Sequence, residues 1–346
     1  MVFENSIFPI TSEVNSVDHL VLGGCDVTDL MEEFGSPLYV YDEVTLRSMC
    51  KEFVSEFSNL YSESSVLYAA KAFLNPAIAN IVREEGLGMD VVSGGELAVA
   101  INSGFPADSI YFHGNNKTRD ELEYAIQEGV SRIVIDSFHE IDLLEDILAS
   151  KNSFQDVMIR ISPNVDPHTH IATTTGILDS KFGFAIETGD AARAIRQLLK
   201  SQRLDLVGIH FHLGSPIFEL EPYESGVRTI LKFLQPFIKE GLNLREFSPG
   251  GGFAIGYLSH KLPPSIKSYA QVIVESTKKY LSELGFHSPK LIVEPGRSIV
   301  GRAGVALYTV GAIKDIPGVR KYVSLDGGMG DNIRPALYDA EYEAVI

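Results

Sequence analysis

Eight short apolar runs are spaced along this chain with stretches of helical periodicity between them, and that alternation restricts the possible folds more than any other feature. The runs are Val66 to Ala70, Gly88 to Val92, Ile110 to His113, Ile133 to Asp136, Val157 to Ile161, Leu206 to Phe211, Leu244 to Phe247 and Leu291 to Val293. Most are rich in Val, Ile and Leu and bounded by Gly, Pro, Ser or Asn, the pattern of strands buried on both faces. Helical spacing covers Asn75 to Glu85, Gly94 to Asn102, Arg119 to Glu128, Glu140 to Leu148, Thr188 to Leu199, Tyr223 to Lys239 and Ile266 to Leu284, with Val44 to Phe57 ahead of the first strand. Eight such units predict an α/β fold, a (β/α)8 barrel of the TIM type rather than an open doubly wound sheet. The barrel is assigned to residues 44–298. Residues 1–43 and 299–346 carry other β-branched runs, Pro37 to Tyr41, Val305 to Ile313 and Lys321 to Leu325, and are assigned to a β-rich domain built from both chain ends.

In such barrels the chemistry lies at the C-terminal ends of the strands. Those ends carry Lys71, Asp90 with Ser93, His113, Asp136, Arg160, His210 with His212, the triplet Gly250-Gly251-Gly252 after Pro249, and Glu294-Pro295-Gly296-Arg297. Polar caps on loops are the simpler alternative, but they do not account for so many reactive groups on one rim. A lysine at the mouth of a buried strand is costly unless it is paired or covalently used. Consecutive glycines let backbone N–H groups approach an anion, and together with Ser215 and Arg297 they form a phosphate cup. An amine, a phosphate cup, a carboxylate and a flat imidazole describe a site for pyridoxal 5′-phosphate. Lys71 would attach the cofactor, Glu294 would keep its pyridine nitrogen protonated, and His212 would stack on the ring.

Composition narrows the partners. With 29 Lys and Arg against 46 Asp and Glu the net charge is −17, which argues against nucleic acid or an anionic membrane as partner. No run approaches the roughly 20 apolar residues of a membrane span, and the first residues lack a basic signal-peptide start, so a cytoplasmic protein is expected. Cys25 and Cys50 lack metal-ligand spacing and are read as packing residues, and no metal is expected.

The motifs Tyr68-Ala-Ala-Lys71-Ala, His113-Gly-Asn-Asn-Lys117, His210-Phe-His-Leu-Gly-Ser215, Ser248-Pro-Gly-Gly-Gly252 and Glu294-Pro-Gly-Arg297 resemble, in the same order, those of the fold-type III pyridoxal-phosphate decarboxylases. Asn164 to His170, Thr175-Gly176, Ser180 to Phe184 and Gly330 to Tyr338 are similar to the diaminopimelate decarboxylase branch rather than to the ornithine or arginine enzymes. The likeness runs from about Gly23 to Tyr342. It implies that Lys71 is the Schiff-base lysine, Glu294 the pyridine partner and His212 the ring-stacking histidine, with His210 packed into the barrel wall. Ser215 and Gly250, Gly251 and Gly252 would contact the phosphate, with Gly296 and Arg297 beside the cofactor. Asp90, His113 and Arg160 would orient the lysine and cofactor, simple core ion pairing being the other reading. Arg297, Arg334 and Tyr338 would grip the distal carboxylate of the substrate, and the last two would share a face if their segment is a helical turn.

The implied reaction is decarboxylation of meso-diaminopimelate to L-lysine and carbon dioxide, the last step of lysine biosynthesis, in a homodimer with shared active sites. The family also carries a Cys-Glu motif and a phosphate-binding tyrosine in a segment expected beyond Ile346. Neither cysteine here stands in that context, so the chain reads as a fragment or a natural truncation. The alternatives are a decarboxylase for another basic amino acid or polyamine precursor, and a non-catalytic cofactor-binding homologue.

Overall fold

The computed structural model describes residues 7–167 and 175–345. Residues His168, Thr169 and His170 of the Asn164 motif therefore lie outside the described residues. The chain divides into two compact units: Met1–Met49 with Ile255–Pro263 and Ser298–Ile346, and Cys50–Ala254 with Pro264–Arg297.

The second unit contains the barrel. Its strands are β1 (Ser64–Ala69), β2 (Gly88–Val91), β3 (Ile110–Phe112), β4 (Arg132–Ile135), β5 (Gln155–Ser162), β6 (Leu204–His210), β7 (Glu246–Gly250) and β8 (Lys290–Val293). Each pairs in parallel with the next, and β8 closes on β1 through Leu291↔Ser64, Ile292↔Ser65 and Val293↔Val66. A short extra strand, Phe184–Ala185, adds to β5. The α/β barrel expected from the eight runs is thus the observed fold.

The apolar composition of these strands follows from their burial: Leu67, Tyr111, Val134, Met158, Val207 and Ile292 form one buried cluster. At the N-terminal strand ends Arg132 makes a two-pronged ion pair with Glu246, at 3.1 and 3.0 Å. Gly208 brings β6 close to β7, since a Cβ there would meet the Glu246 carbonyl oxygen at 2.7 Å.

Three successive helices start on the same local device. Ser93, Thr118 and Ser137 cap Gly94–Asn102, Arg119–Glu128 and Phe138–Lys151, each accepting from the backbone N–H three residues on. The glutamate at that third position reaches back to a backbone N–H: Glu96 to Val92, Glu121 to Thr118 and Glu140 to Asp136. These caps fix the helix starts directly behind β2 and β4, and behind the loop that follows β3.

In the first unit, Leu38–Tyr41 pairs antiparallel with Gly304–Leu307, and Val310–Ile316 forms a hairpin with Arg320–Leu325. The run expected from Val305 to Ile313 is thus two strands, broken at Tyr308 and Thr309. Cys50 is fully buried, but Cys25 is exposed, which corrects its reading as a packing residue: it sits in the two-residue strand Cys25–Asp26, too short to cover its own side chain.

Candidate active site

The C-terminal ends of the barrel strands surround a cavity of about 470 Å3. Lys71 enters it from the single 3-10 turn Ala70–Ala72 that ends β1. Register places Ala69 beside Asp90 of β2, and the Lys71 Nζ lies 2.7 Å from Asp90 Oδ2. Asp90 is fully buried, whereas the lysine side chain is half exposed to the cavity. Burial alone would lower the Lys71 pKa, but the charge and hydrogen bond of Asp90 outweigh it and raise it. In the free protein the amine is therefore held as an ammonium.

Glu294 follows β8 and is the most heavily contacted carboxylate of the rim. His210 Nε2 donates to its Oε2 at 3.0 Å and Ser248 Oγ to its Oε1 at 2.8 Å. His113 Nε2 lies 3.4 Å from the same Oε1 and 3.8 Å from Asp90 Oδ1, so it stands between the two carboxylates. Burial opposes ionisation of Glu294, but the neighbouring His210 and His113 prevail and hold it well below the usual carboxylate range. Burial in turn drives His210 down to about 4, against the attraction of Glu294, so this ring is neutral at pH 7.

His210 is buried, in keeping with its reading as a packed residue, but it packs against polar partners at the rim. Its edge meets the His113 ring at a centroid distance of 4.7 Å, and both line the cavity. His212 lies two residues past the end of β6 and lines the same cavity. His212 accepts a 3.3 Å hydrogen bond from Gly251 N–H at Nδ1. Burial, with the positive Arg160 and Lys71 nearby, keeps that ring neutral. Arg160, at the end of β5, lies over the Phe182 ring at 4.4 Å.

The glycine triplet is a close-packed cradle. A Cβ at Gly250, Gly251 or Gly252 would come within 2.6, 2.2 or 2.4 Å of the carbonyl oxygens of Phe211, Glu294 and Gly214 respectively. Gly250 and Gly252 also have positive φ, 75° and 99°. Ser215, Gly251, Gly252, Gly296 and Arg297 line the cavity with Lys71, His113, Arg160, His212 and Glu294. Arg334 and Tyr338 lie in the first unit, at the two ends of the short helix Arg334–Tyr338, and Arg334 donates to the Tyr342 hydroxyl at 2.8 Å. Ser248 is a contributor not singled out by the sequence; its one signal is that it opens the Pro-Gly-Gly-Gly turn.

A family model for the pyridoxal-dependent decarboxylase pyridoxal binding domain matches residues 45–301. Diaminopimelate decarboxylase of Bacillus subtilis is 46% identical over 340 residues, covering 96% of this chain and 76% of that protein. The chain belongs to the diaminopimelate decarboxylase family. The Bacillus methanolicus family member is 43% identical over 338 residues, covering 97% of this chain and 78% of its own. Diaminopimelate decarboxylase of M. jannaschii, crystallised with L-lysine, is similar in structure with a TM-score of 0.90 at 35% identity, covering 97% of this chain and 77% of its own.

The cofactor implied by this family is pyridoxal 5′-phosphate, and the residues present fit it. The cavity offers an amine, a carboxylate held ionised and a glycine cradle with no room for side chains. Buried Asp90 Oδ1, His113 Nε2 and His210 Nδ1 also lack hydrogen-bond partners among the described residues.

Proposed function

We propose that this protein decarboxylates meso-diaminopimelate to L-lysine and carbon dioxide, using pyridoxal 5′-phosphate held at the barrel rim. The observation that carries the reading is the continuous contact set Lys71–Asp90–His113–Glu294–His210, which places an amine and an ionised carboxylate on one cavity. When bound, the cofactor supplies the electron sink for the pair left behind as the carboxylate departs. Lys71 is the residue that attaches it, and Asp90 aims the amine. Glu294, kept anionic by donors from His210 and Ser248, holds a proton on the ring nitrogen. His212 presents a neutral imidazole to the ring, its orientation set by the Gly251 N–H. Ser215 and the backbone of Gly250 to Gly252 hold the phosphate, with Gly296 and Arg297 beside them.

Selectivity is assigned to Arg297, Arg334 and Tyr338, which grip the carboxylate at the non-reacting end of the substrate. A substrate lacking that carboxylate forgoes these charge-assisted contacts, each worth about 1.5–3 kcal/mol. The reading includes a homodimer with shared active sites, working in the cytoplasm in lysine synthesis. It is tested by an absorbance titration of the apoprotein with pyridoxal phosphate beside Lys71→Ala, followed by meso-diaminopimelate and an assay for lysine. A near-visible band present in the wild type and absent from Lys71→Ala, with lysine released only by the wild type, supports it; lysine release by Lys71→Ala overturns it.

A further inference from the structure

Behind the rim lies a buried ion pair that the reaction does not use. Lys117 Nζ sits 2.8 Å from Glu140 Oε1, and the two side chains are only 1% and 5% exposed. The ammonium also donates to the carbonyl oxygens of Gly114 at 2.6 Å and Val134 at 2.9 Å. The ammonium is thus held by two backbone carbonyls, from the β3 loop and β4, and by the charge of a carboxylate on the helix Phe138–Lys151. Beyond the β3–β4 ladder, which ends at Phe112↔Ile133, these carbonyls need another donor, and Lys117 supplies it.

The pair is tied to the cavity wall along two routes. Glu140 Oε2 accepts from the Asp136 backbone N–H at 3.1 Å, and Asp136 Oδ1 accepts from Gly183 N–H at 2.7 Å. Gly183 packs against Arg160, since a Cβ there would sit 3.0 Å from the Arg160 carbonyl oxygen, and its neighbour Phe182 covers the Arg160 guanidinium. On the other route, Gly114 and Asn115 line the cavity, and Asn115 Nδ2 donates to the Lys181 carbonyl at 3.3 Å. Both routes converge on Lys181-Phe182-Gly183.

Stability does not explain such a pair. Its desolvation is costly, and buried ion pairs replaced by apolar groups of similar size often lose nothing. What it provides is direction, through fixed partners on three elements. We propose that Lys117 and Glu140 are positioning residues that hold Lys181-Phe182-Gly183, and through it Arg160, in the geometry that binds the cofactor. This inference rests on the proposed cofactor site.

The test separates fold from positioning. Lys117→Met strands the Glu140 carboxylate and lowers the melting temperature; Lys117→Met/Glu140→Leu removes both charges and recovers part of that loss, the Gly114 and Val134 carbonyls and the Asp136 N–H still lacking these partners. In the double variant, cofactor affinity measured by fluorescence titration of the apoprotein with pyridoxal phosphate is expected to fall at least tenfold. The Gly183 amide is expected to exchange with solvent correspondingly faster. Asp136→Ala cuts the route to Gly183 while leaving the ion pair, and is expected to weaken pyridoxal phosphate binding to a similar degree with little change in melting temperature; it serves where the double variant does not fold. Wild-type affinity and Gly183 exchange in a folded double variant, or wild-type affinity in Asp136→Ala, overturns the proposal. Absence of pyridoxal phosphate binding by the wild type would instead overturn the reading of the site.

Discussion

Replacing Gly251 with alanine puts a methyl group 2.2 Å from the carbonyl oxygen of Glu294 and 3.1 Å from its carbonyl carbon. Non-bonded carbon contacts settle near about 3.5 Å, so the backbone after β7 and the end of β8 must separate by about 1 Å. Neither side is a flexible side-chain tip. Glu294 cannot retreat freely, because its carboxylate is held by His210 and Ser248 and its N–H donates to the Gly250 carbonyl at 3.0 Å. Overpacking of this kind costs about 1–3 kcal/mol, and a misplacement of about 1 Å in a catalytic group is worth about 100-fold in rate. Gly251→Ala should therefore unfold a few degrees lower, bind pyridoxal phosphate at least tenfold more weakly and lose about two orders of magnitude in kcat/KM. Gly95→Ala is the control: it lies in the first turn of a helix with only Ser93 Oγ nearby, at 3.8 Å, and should keep both properties. Wild-type binding and turnover in Gly251→Ala would refute the cradle as a constraint on the site.

Removing the Asp90 charge by Asp90→Asn should let burial of Lys71 prevail, lowering the pKa of the amine and increasing its reactivity toward an amine-specific reagent in the apoprotein at pH 7, measured by mass spectrometry. His210 titrates at about 4 in the folded protein and near about 6.5 unfolded, so the unfolded chain binds the extra proton between these values. Its contribution to stability is complete above about pH 6.5 and falls by about 3 kcal/mol as the pH drops toward 4; His210→Gln, which keeps a donor toward Glu294, should flatten that part of a denaturant-derived stability profile. Arg334→Met should raise KM for meso-diaminopimelate by about 10- to 100-fold with a smaller change in kcat, because a charge-assisted contact is worth about 1.5–3 kcal/mol. Steady-state kinetics decide that case.

The barrel was legible because its strands are buried on both faces and so spell unbroken Val-, Ile- and Leu-rich runs. Strand boundaries were less so. The run Leu244 to Phe247 predicts a strand ending before Ser248-Pro249-Gly250, yet the observed strand is Glu246–Gly250 and pairs Gly250 with Val293. Turn-type residues continue the ladder there because a register shift lies between Phe247 and Gly250 and proline needs no donor at that place. The rim could be listed from the residues that follow each strand, but not its internal pairings, which depend on barrel register. His210 shows this: its motif gives no partner, whereas the register of neighbouring strands β6, β7 and β8 sets it against Glu294, 84 residues away. Lys117 and Glu140, 23 residues apart, meet for the same reason, although Ser137-Phe138-His139-Glu140 is by itself a readable helix start.

The central claim is tested most directly by supplying the protein with pyridoxal phosphate and offering meso-diaminopimelate, L-lysine and L-ornithine separately, with released carbon dioxide and amine product quantified. Formation of L-lysine from meso-diaminopimelate, at a kcat/KM at least 100-fold above that for either single-carboxylate substrate, is the predicted result. Equal or faster decarboxylation of lysine or ornithine, or cofactor bound through Lys71 with no lysine formed, would contradict it.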